Sequence, residues 1–368
     1  MSTHTSQHGS VVRVGVVGLG FMGRTHARAV LAAERDGLPC HLVAMCDHKA
    51  SGLDNAIATF RGDSQSSGNL NTGTALTADA ARLAALKQTT NLDDVLSDAS
   101  IDLVVVATPT DTHTKVATAA LRAGKHVMIE KPVALSLADI EGLKKAAEAA
   151  GRRCIPAMCM RYWPGWSWLR ERIREKWFGE LRSLSLERAG ARPTWNPFYA
   201  DVNRCGGALF DLHIHDTDYI VWCLGRPDTV SSVGDAIQRS HVVTQYRWND
   251  SRVSPDAVNA SGSWRLASAA GFIMRFTAIF ENATAEFALS QDAAHPHGRV
   301  RLSDSTIQSD IVLPTIGGYD QQMRHTVEVL AGKKPNDLPT MNDSEAATTV
   351  LLAELESMKT GRIMDVPA

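Results

Sequence analysis

An α/β fold is expected: an N-terminal doubly wound parallel sheet of Rossmann type, then a second α/β domain built on a large, mainly antiparallel open sheet. Three observations predict it. A β-branched apolar run leads directly into a glycine turn and a helix pattern; further apolar strands alternate with helices as far as residue 160; beyond that, period-two strands take over.

The first strand, Val11 to Val17, is nearly all apolar, as a central parallel strand covered on both faces must be. Gly18-Leu19-Gly20-Phe21-Met22-Gly23 follows, and Arg24 to Arg35 is rich in helix formers, with Ala27, Val30, Leu31 and Glu34 at helical spacing. In this order each glycine has a task. Gly18 makes the tight turn, Gly20 lets the backbone approach a pyrophosphate, and Gly23 lets helix and strand pack closely. The phosphates would sit on the helix N-terminus beside Phe21 and Met22, where unpaired N–H groups favour negative charge. A second strand, His41 to Cys46, ends in Asp47, where an acid would accept the ribose hydroxyls. A carboxylate there repels a 2′-phosphate and so favours NAD; His48 and Lys49, next to it, could soften the repulsion and keep NADP open.

Residues 61 to 75 are polar and glycine-rich and predict a surface loop, with the Arg61-Gly62-Asp63 tripeptide accidental. The strand Asp102 to Ala107 leads into Thr108-Pro109-Thr110, a helix spans Thr114 to Ala123, and the strand His126 to Ile129 leads to Glu130-Lys131-Pro132. These turns lie at the carboxyl ends of parallel strands, where open α/β sheets bind ligands. Ser136 and Asp139 make a capping pair for the next helix, and Cys154 to Met158 completes the sheet. The domain boundaries follow: a disordered tail over 1–10, the dinucleotide domain over 11–160, and a substrate and oligomerisation domain over 161–368.

In the second domain a short amphipathic helix carries Leu169, Ile173 and Trp177 on one side and stops at Gly179. Leu181 to Leu186 begins the strands. Phe272, Met274, Phe276, Ala278 and Phe280 line one face of a long strand, answered by Ala285 to Leu289 and Val300 to Leu302. Helices over Asp320 to Leu330 and Asp343 to Lys359 close the chain.

Composition narrows the function. With 368 residues and 44% hydrophobic content there is material for two cores, and 38 basic against 40 acidic residues leave a formal charge of −2, without a basic stretch for nucleic acid or an acidic membrane. No apolar run is long enough to cross a bilayer, and the polar Met1 to Ser10 lacks the core of a signal peptide. The six cysteines are scattered without zinc spacing and read as reduced thiols of a cytoplasmic protein.

The most chemically suggestive segment is Gly206-Gly-Ala-Leu-Phe-Asp-Leu-His-Ile-His-Asp-Thr-Asp218. On a regular helix Asp211, His215 and Asp218 share a face while His213 turns away. Two carboxylates and an imidazole in a row suit proton transfer, and Gly206-Gly207 would let a ligand approach. A metal site from Asp211, His213, His215 and Asp216 is disfavoured because a helix scatters them around its axis; no metal is expected.

The glycine fingerprint, Ala107-Thr108-Pro109, Glu130-Lys131-Pro132, Arg161-Tyr162-Trp163-Pro164 and the Gly206 to Asp218 run occur in the order seen in Gfo/Idh/MocA oxidoreductases, which the chain resembles over nearly its whole length. The resemblance implies hydride transfer between a nicotinamide and a carbinol carbon of a sugar, cyclitol or related polyol, and a homo-oligomer formed through the open sheet. Lys131, Asp211 and His215 match the family's catalytic residues. Thr108, Pro109 and Glu130, with His113 beside them, match positions lining the nicotinamide half of the cofactor. Cys205 in place of a usual first glycine and His213 in place of a small residue are departures. Substrate contacts are expected from Lys131, Asp211, His215, Arg161, Arg204 and Trp195, the last either stacking on a sugar face or packing. Asp218 could orient His215 or simply cap and solvate. The rivals are a hydrolase or lyase that oxidises a sugar transiently, and a nucleotide-binding regulatory protein without turnover.

Overall fold

The computed structural model describes residues 11–61, 80–249, 255–289 and 295–367; the expected N-terminal tail, and the expected loop beyond Arg61, lie outside them. β1 (Val12–Val17), β2 (Cys40–Cys46), β3 (Lys87–Thr89), β4 (Leu103–Val106), β5 (His126–Ile129) and β6 (Cys154–Pro156) form a parallel sheet in the order β3-β2-β1-β4-β5-β6. The order reverses between β1 and β4. At such a switch point the loops after both strands splay apart and leave a crevice. β1 and β4 are buried on both faces because helices cover both sides, which is why their sequences lack alternation.

The helices of this domain are α1 (Phe21–Arg35), α2 (Ala50–Arg61), α3 (Ala80–Ala84), α4 (Asp93–Leu96), α5 (Thr110–Arg122) and α6 (Leu137–Ala150). α1 starts directly after Gly20, and α5 starts at Thr110, four residues before the sequence expectation. Ser136 caps α6 by accepting from the Asp139 N–H, and Gly151 ends it in the left-handed conformation at φ 60°.

α7 (Pro164–Glu175) leads into the second domain, where β7 (Leu181–Ala189), β8 (Thr229–Gly234), β9 (His241–Arg247), β10 (Ala257–Ser263), β11 (Ile273–Phe280), β12 (Thr284–Ala288), β13 (Arg299–Ser303), β14 (Gln308–Ile311) and β15 (Met364–Asp365) form one sheet. Its order is β14-β13-β12-β11-β7-β10-β9-β8-β15, antiparallel except where β10 runs parallel to β7. α8 (Val202–Cys205), α9 (Ile214–Leu224), α10 (Gly318–Leu330) and α11 (Met341–Thr360) complete the fold. The alternation read on β11 is real: Met274, Phe276, Ala278 and Phe280 are buried. They face a core around Trp166, whose ring stands edge-on to Tyr219 and Phe276 at 4.8 and 5.5 Å. Trp177 does not join the α7 stripe; it lies past the helix end, 65% exposed, with Arg172 over its ring. Among the described residues no helix is long and apolar enough to cross a membrane.

Candidate active site

β5 ends at Ile129 on the floor of the crevice, so the next two residues arrive there by chain continuity. Glu130 turns inward, accepting from His26 Nε2 at 2.6 Å and from the Lys131 N–H at 3.1 Å. Burial pushes the Glu130 pKa up, but the hydrogen bond from His26 and the Lys131 charge more than offset this and hold it below the usual carboxylate range. Lys131 points outward and donates to Asp211, 3.0 Å to Oδ1 and 2.5 Å to the backbone carbonyl. The peptide to Pro132 is cis.

Asp211 stands on a π turn, Leu209–His213, that runs into α9. A π turn offsets the helical hydrogen-bond ladder, and here the Asp211 carbonyl accepts from a lysine. The altered pitch also corrects the expectation of one polar face. Asp211 meets Lys131, whereas His213 is fully buried against Glu354 at 3.0 Å and the Tyr246 hydroxyl at 3.1 Å. His215 has its Nδ1 3.9 Å from the Cys159 sulfur. Asp216 takes a two-point grip on Arg188 at 2.9 and 3.0 Å, and Asp218 does the same with Arg161 at 2.6 and 3.0 Å. Their partners differ, so these side chains do not converge on one ion, and the run is buried rather than solvated.

Three further expectations change. Asp218 does not orient His215, because Arg161 occupies it. Arg161, expected to bind substrate, is a buried ion-pair residue whose Nε, Nη1 and Nη2 go to Asp218 and Asp343. Gly206 and Gly207, read as room for a ligand, serve the protein's own packing: both have positive φ, and a Cβ would meet Phe210 Cβ at 2.4 Å or Arg239 Cβ at 2.7 Å.

His215 is buried with an edge left to the cleft, 8% exposed. Burial pushes its pKa well down, and the positive charges of Lys131 and Arg188 add to the effect, so the ring is neutral at neutral pH. His113 lies between two loops of the crevice, one ring nitrogen 2.8 Å from the Thr108 carbonyl and the other 3.0 Å from that of Pro132. It tethers the Thr108-Pro109 turn to the lysine loop.

The residues present fit a dinucleotide. A Cβ on Gly23 would lie 1.7 Å from the Gly18 carbonyl oxygen, so only glycine allows this contact, while a Cβ on Gly20 would point into open space. Gly20 begins α1 without a side-chain cap, leaving the first-turn N–H groups beside Phe21 and Met22 for an anion. Asp47 accepts from the Leu19 and Lys49 N–H groups at 2.7 and 2.9 Å, which aligns its carboxylate beside the glycine turn.

On the opposite rim Arg204 pairs with Asp111 at 2.7 Å and joins the second domain to the first turn of α5. Trp195 is 71% exposed, its ring edge-on to Tyr199 at 5.6 Å. Tyr199, which sequence reasoning missed, has a phenol pushed up by burial and by the nearby charges of Asp211 and Glu130. His26 and Cys159 were missed as well. A histidine on the apolar side of α1 was a legible oddity; nothing local marked the cysteine.

A dinucleotide crevice faced by lysine, aspartate and histidine across a domain boundary defines an oxidoreductase-type architecture. Residues 12–158 match the model of the oxidoreductase family with an NAD-binding Rossmann fold, and 166–306 match the Gfo/Idh/MocA C-terminal domain. The chain belongs to the Gfo/Idh/MocA family, with an NAD-binding Rossmann domain at its N-terminal end. It is 33% identical over 156 residues to 2,7-anhydro-N-acetylneuraminate hydratase of Escherichia coli K12, 41% of either chain. It is 26% identical over 215 residues to inositol 2-dehydrogenase of Rhizobium meliloti 1021, 58% of this chain and 56% of the other. The match spans about two fifths of the length of the first of these curated relatives. The solved structure of GenD2 from gentamicin A biosynthesis, in complex with NAD, shares the fold at 23% identity, with full coverage of both chains and a TM-score of 0.76.

Proposed function

We propose that this chain is an NAD-dependent dehydrogenase acting on a CH–OH group of a sugar, cyclitol or related polyol. One observation carries the reading: Lys131, at the crevice floor, is held by Asp211 of the other domain, with a neutral, buried His215 on the same helix. When bound, NAD would supply the hydride acceptor. The proton is the protein's task. Neutral His215 takes it from the reacting hydroxyl at its free ring nitrogen, since a base must be unprotonated at working pH. Lys131 has three N–H donors, spends two on Asp211, and turns the third to the reacting oxygen, where charge develops. Asp211 holds the lysine and accepts from a neighbouring hydroxyl.

Gly18, Gly20, Phe21, Met22 and Gly23 would bind the pyrophosphate and Asp47 the ribose, favouring NAD over NADP. Thr108, Pro109, His113, Glu130 and Lys131 would surround the nicotinamide half. Trp195 and Arg204, on the rim, remain substrate contacts in this reading, and Tyr199 joins them; Arg161 does not. The inositol dehydrogenase among the relatives supports a cyclitol or sugar as substrate. A second copy would pack on the open face of the sheet, which carries Glu187, Arg275, Glu286, Arg299 and Arg301. A cytoplasmic location suits the thiols, none of which is in a disulfide.

The test is a panel of cyclitols, aldoses and alditols with NAD and NADP, following nicotinamide absorbance and product chromatography together. NADH formed in step with a ketone or lactone supports the proposal. Product without net NADH replaces it with transient-redox chemistry, and turnover that survives His215→Ala removes the assigned base.

A further inference from the structure

His215 is a buried imidazole whose orientation is set by no carboxylate. Every acid around it is engaged elsewhere: Asp211 with Lys131, Asp216 with Arg188, Asp218 with Arg161, and Glu130 with His26. What meets Nδ1 is the sulfur of Cys159, at 3.9 Å, in the turn Cys159–Tyr162 just after β6. Among the described residues His215 has no other hydrogen-bond partner. Cys159 is itself buried, 2% exposed, beside the Tyr319 side chain of α10.

We propose that Cys159 is the positioning residue for His215: its sulfur accepts the Nδ1–H, which fixes the tautomer that leaves the Nε2 lone pair free to take the substrate proton.

The choice of a thiol has a physical consequence. A carboxylate on Nδ1 would stabilise the imidazolium and raise its pKa, whereas a neutral sulfur orients the ring and leaves its charge preference alone. Burial pushes the Cys159 thiol up to about 12, so it stays protonated and neutral throughout the working range. The charged groups that face His215 are Lys131 from the turn after β5 and Arg188 from β7, both positive, and both oppose a positive charge on the ring. The base is thus held neutral and in one tautomer at once.

The proposal rests on the reading of His215 as the base only for its kinetic consequence; the tautomer can be observed without turnover. Full-length protein carrying 15N-labelled histidine would be titrated by long-range 15N–1H NMR, with His215 assigned by its loss in His215→Asn. The expected spectrum shows Nδ1 protonated and Nε2 bare, without titration until the pH is well below 6.5. Cys159→Ser should keep that tautomer, Cys159→Ala should give a mixture, and Cys159→Asp should raise the titration by about one pH unit or more. The acid limb of kcat/KM, on whichever polyol the panel identifies, should move with it. A wild-type Nε2–H tautomer overturns the proposal, and so does a Cys159→Ala protein with wild-type tautomer and titration. If Cys159→Asp does not fold, the serine and alanine variants decide alone. Absence of polyol turnover would count against the dehydrogenase reading and leave the tautomer result standing.

Discussion

The Lys131 ammonium is bound by two oxygens of one residue: Asp211 offers its carboxylate at 3.0 Å and its own backbone carbonyl at 2.5 Å. The lysine is therefore held from both domains, and a shift of either moves it. Lys131→Met should lower kcat about 100-fold, the loss of roughly 3 kcal/mol of charge stabilisation, and leave NADH affinity within a few-fold by fluorescence titration. Asp211→Asn, which keeps a side-chain oxygen to accept from the lysine, should be milder in its effect on kcat than Asp211→Ala, which leaves only the backbone carbonyl. A higher KM at unchanged kcat in all three variants would mean that the pair only binds.

Asp47 should decide between the two nicotinamide cofactors. Its carboxylate is aligned by the Leu19 and Lys49 N–H groups beside the glycine turn, where a 2′-phosphate would be repelled. Asp47→Ala should cut kcat/KM for NAD at least about tenfold while that for NADP holds or rises, as steady-state kinetics with both cofactors would show. Equal losses for both would point to a collapsed turn rather than lost discrimination.

Arg161 and Asp218 make a buried pair, with side chains 7% and 2% exposed. Removing the arginine strands a carboxylate in the interior, so Arg161→Ala should cost about 3 to 5 kcal/mol in urea unfolding. The double change Arg161→Met with Asp218→Leu should recover much of it. If Arg161→Ala unfolds like the wild type and only KM rises, the arginine is a substrate ligand after all.

His213 gives stability a pH dependence of its own. Burial lowers its pKa, but the Glu354 carboxylate 3.0 Å away more than compensates, and the folded-state value lies above the ordinary one. A raised pKa means stability that is complete below about 6.5 and is lost as pH rises through the folded value. Glu354→Gln should flatten this decline, so the two proteins differ most at low pH and converge at high pH in unfolding free energy. Parallel curves between pH 6 and 9 would show that the pair is not protonated in the fold.

Much of the architecture could be read directly along the chain. The run from Val12 to Asp47 carried its meaning in order, because strand, glycine turn and helix are local, and close contact between Gly23 and Gly18 tolerates no side chain. The alternation of Met274, Phe276, Ala278 and Phe280 likewise declared a one-sided sheet. β8, β9 and β10 do not stand out in the sequence: β8 and β10 carry serine and glycine in place of a clear apolar pattern, and each is completed by a partner far away in the chain, β15 for β8 and β7 for β10.

The sequence by itself determined that a dinucleotide domain precedes a sheet domain, and its family resemblance marked Lys131, Asp211 and His215 as the candidate chemical groups. Only the tertiary structure decided their partners. Spacing along a helix gives a direction around its axis, and here even that was altered by the π turn at Leu209–His213. What faces each direction comes from residues far away in the chain: Glu354 for His213, Arg188 for Asp216, Arg161 for Asp218 and Cys159 for His215. Burial then forces the pairing, since a charge removed from water must find an opposite charge or a hydrogen bond.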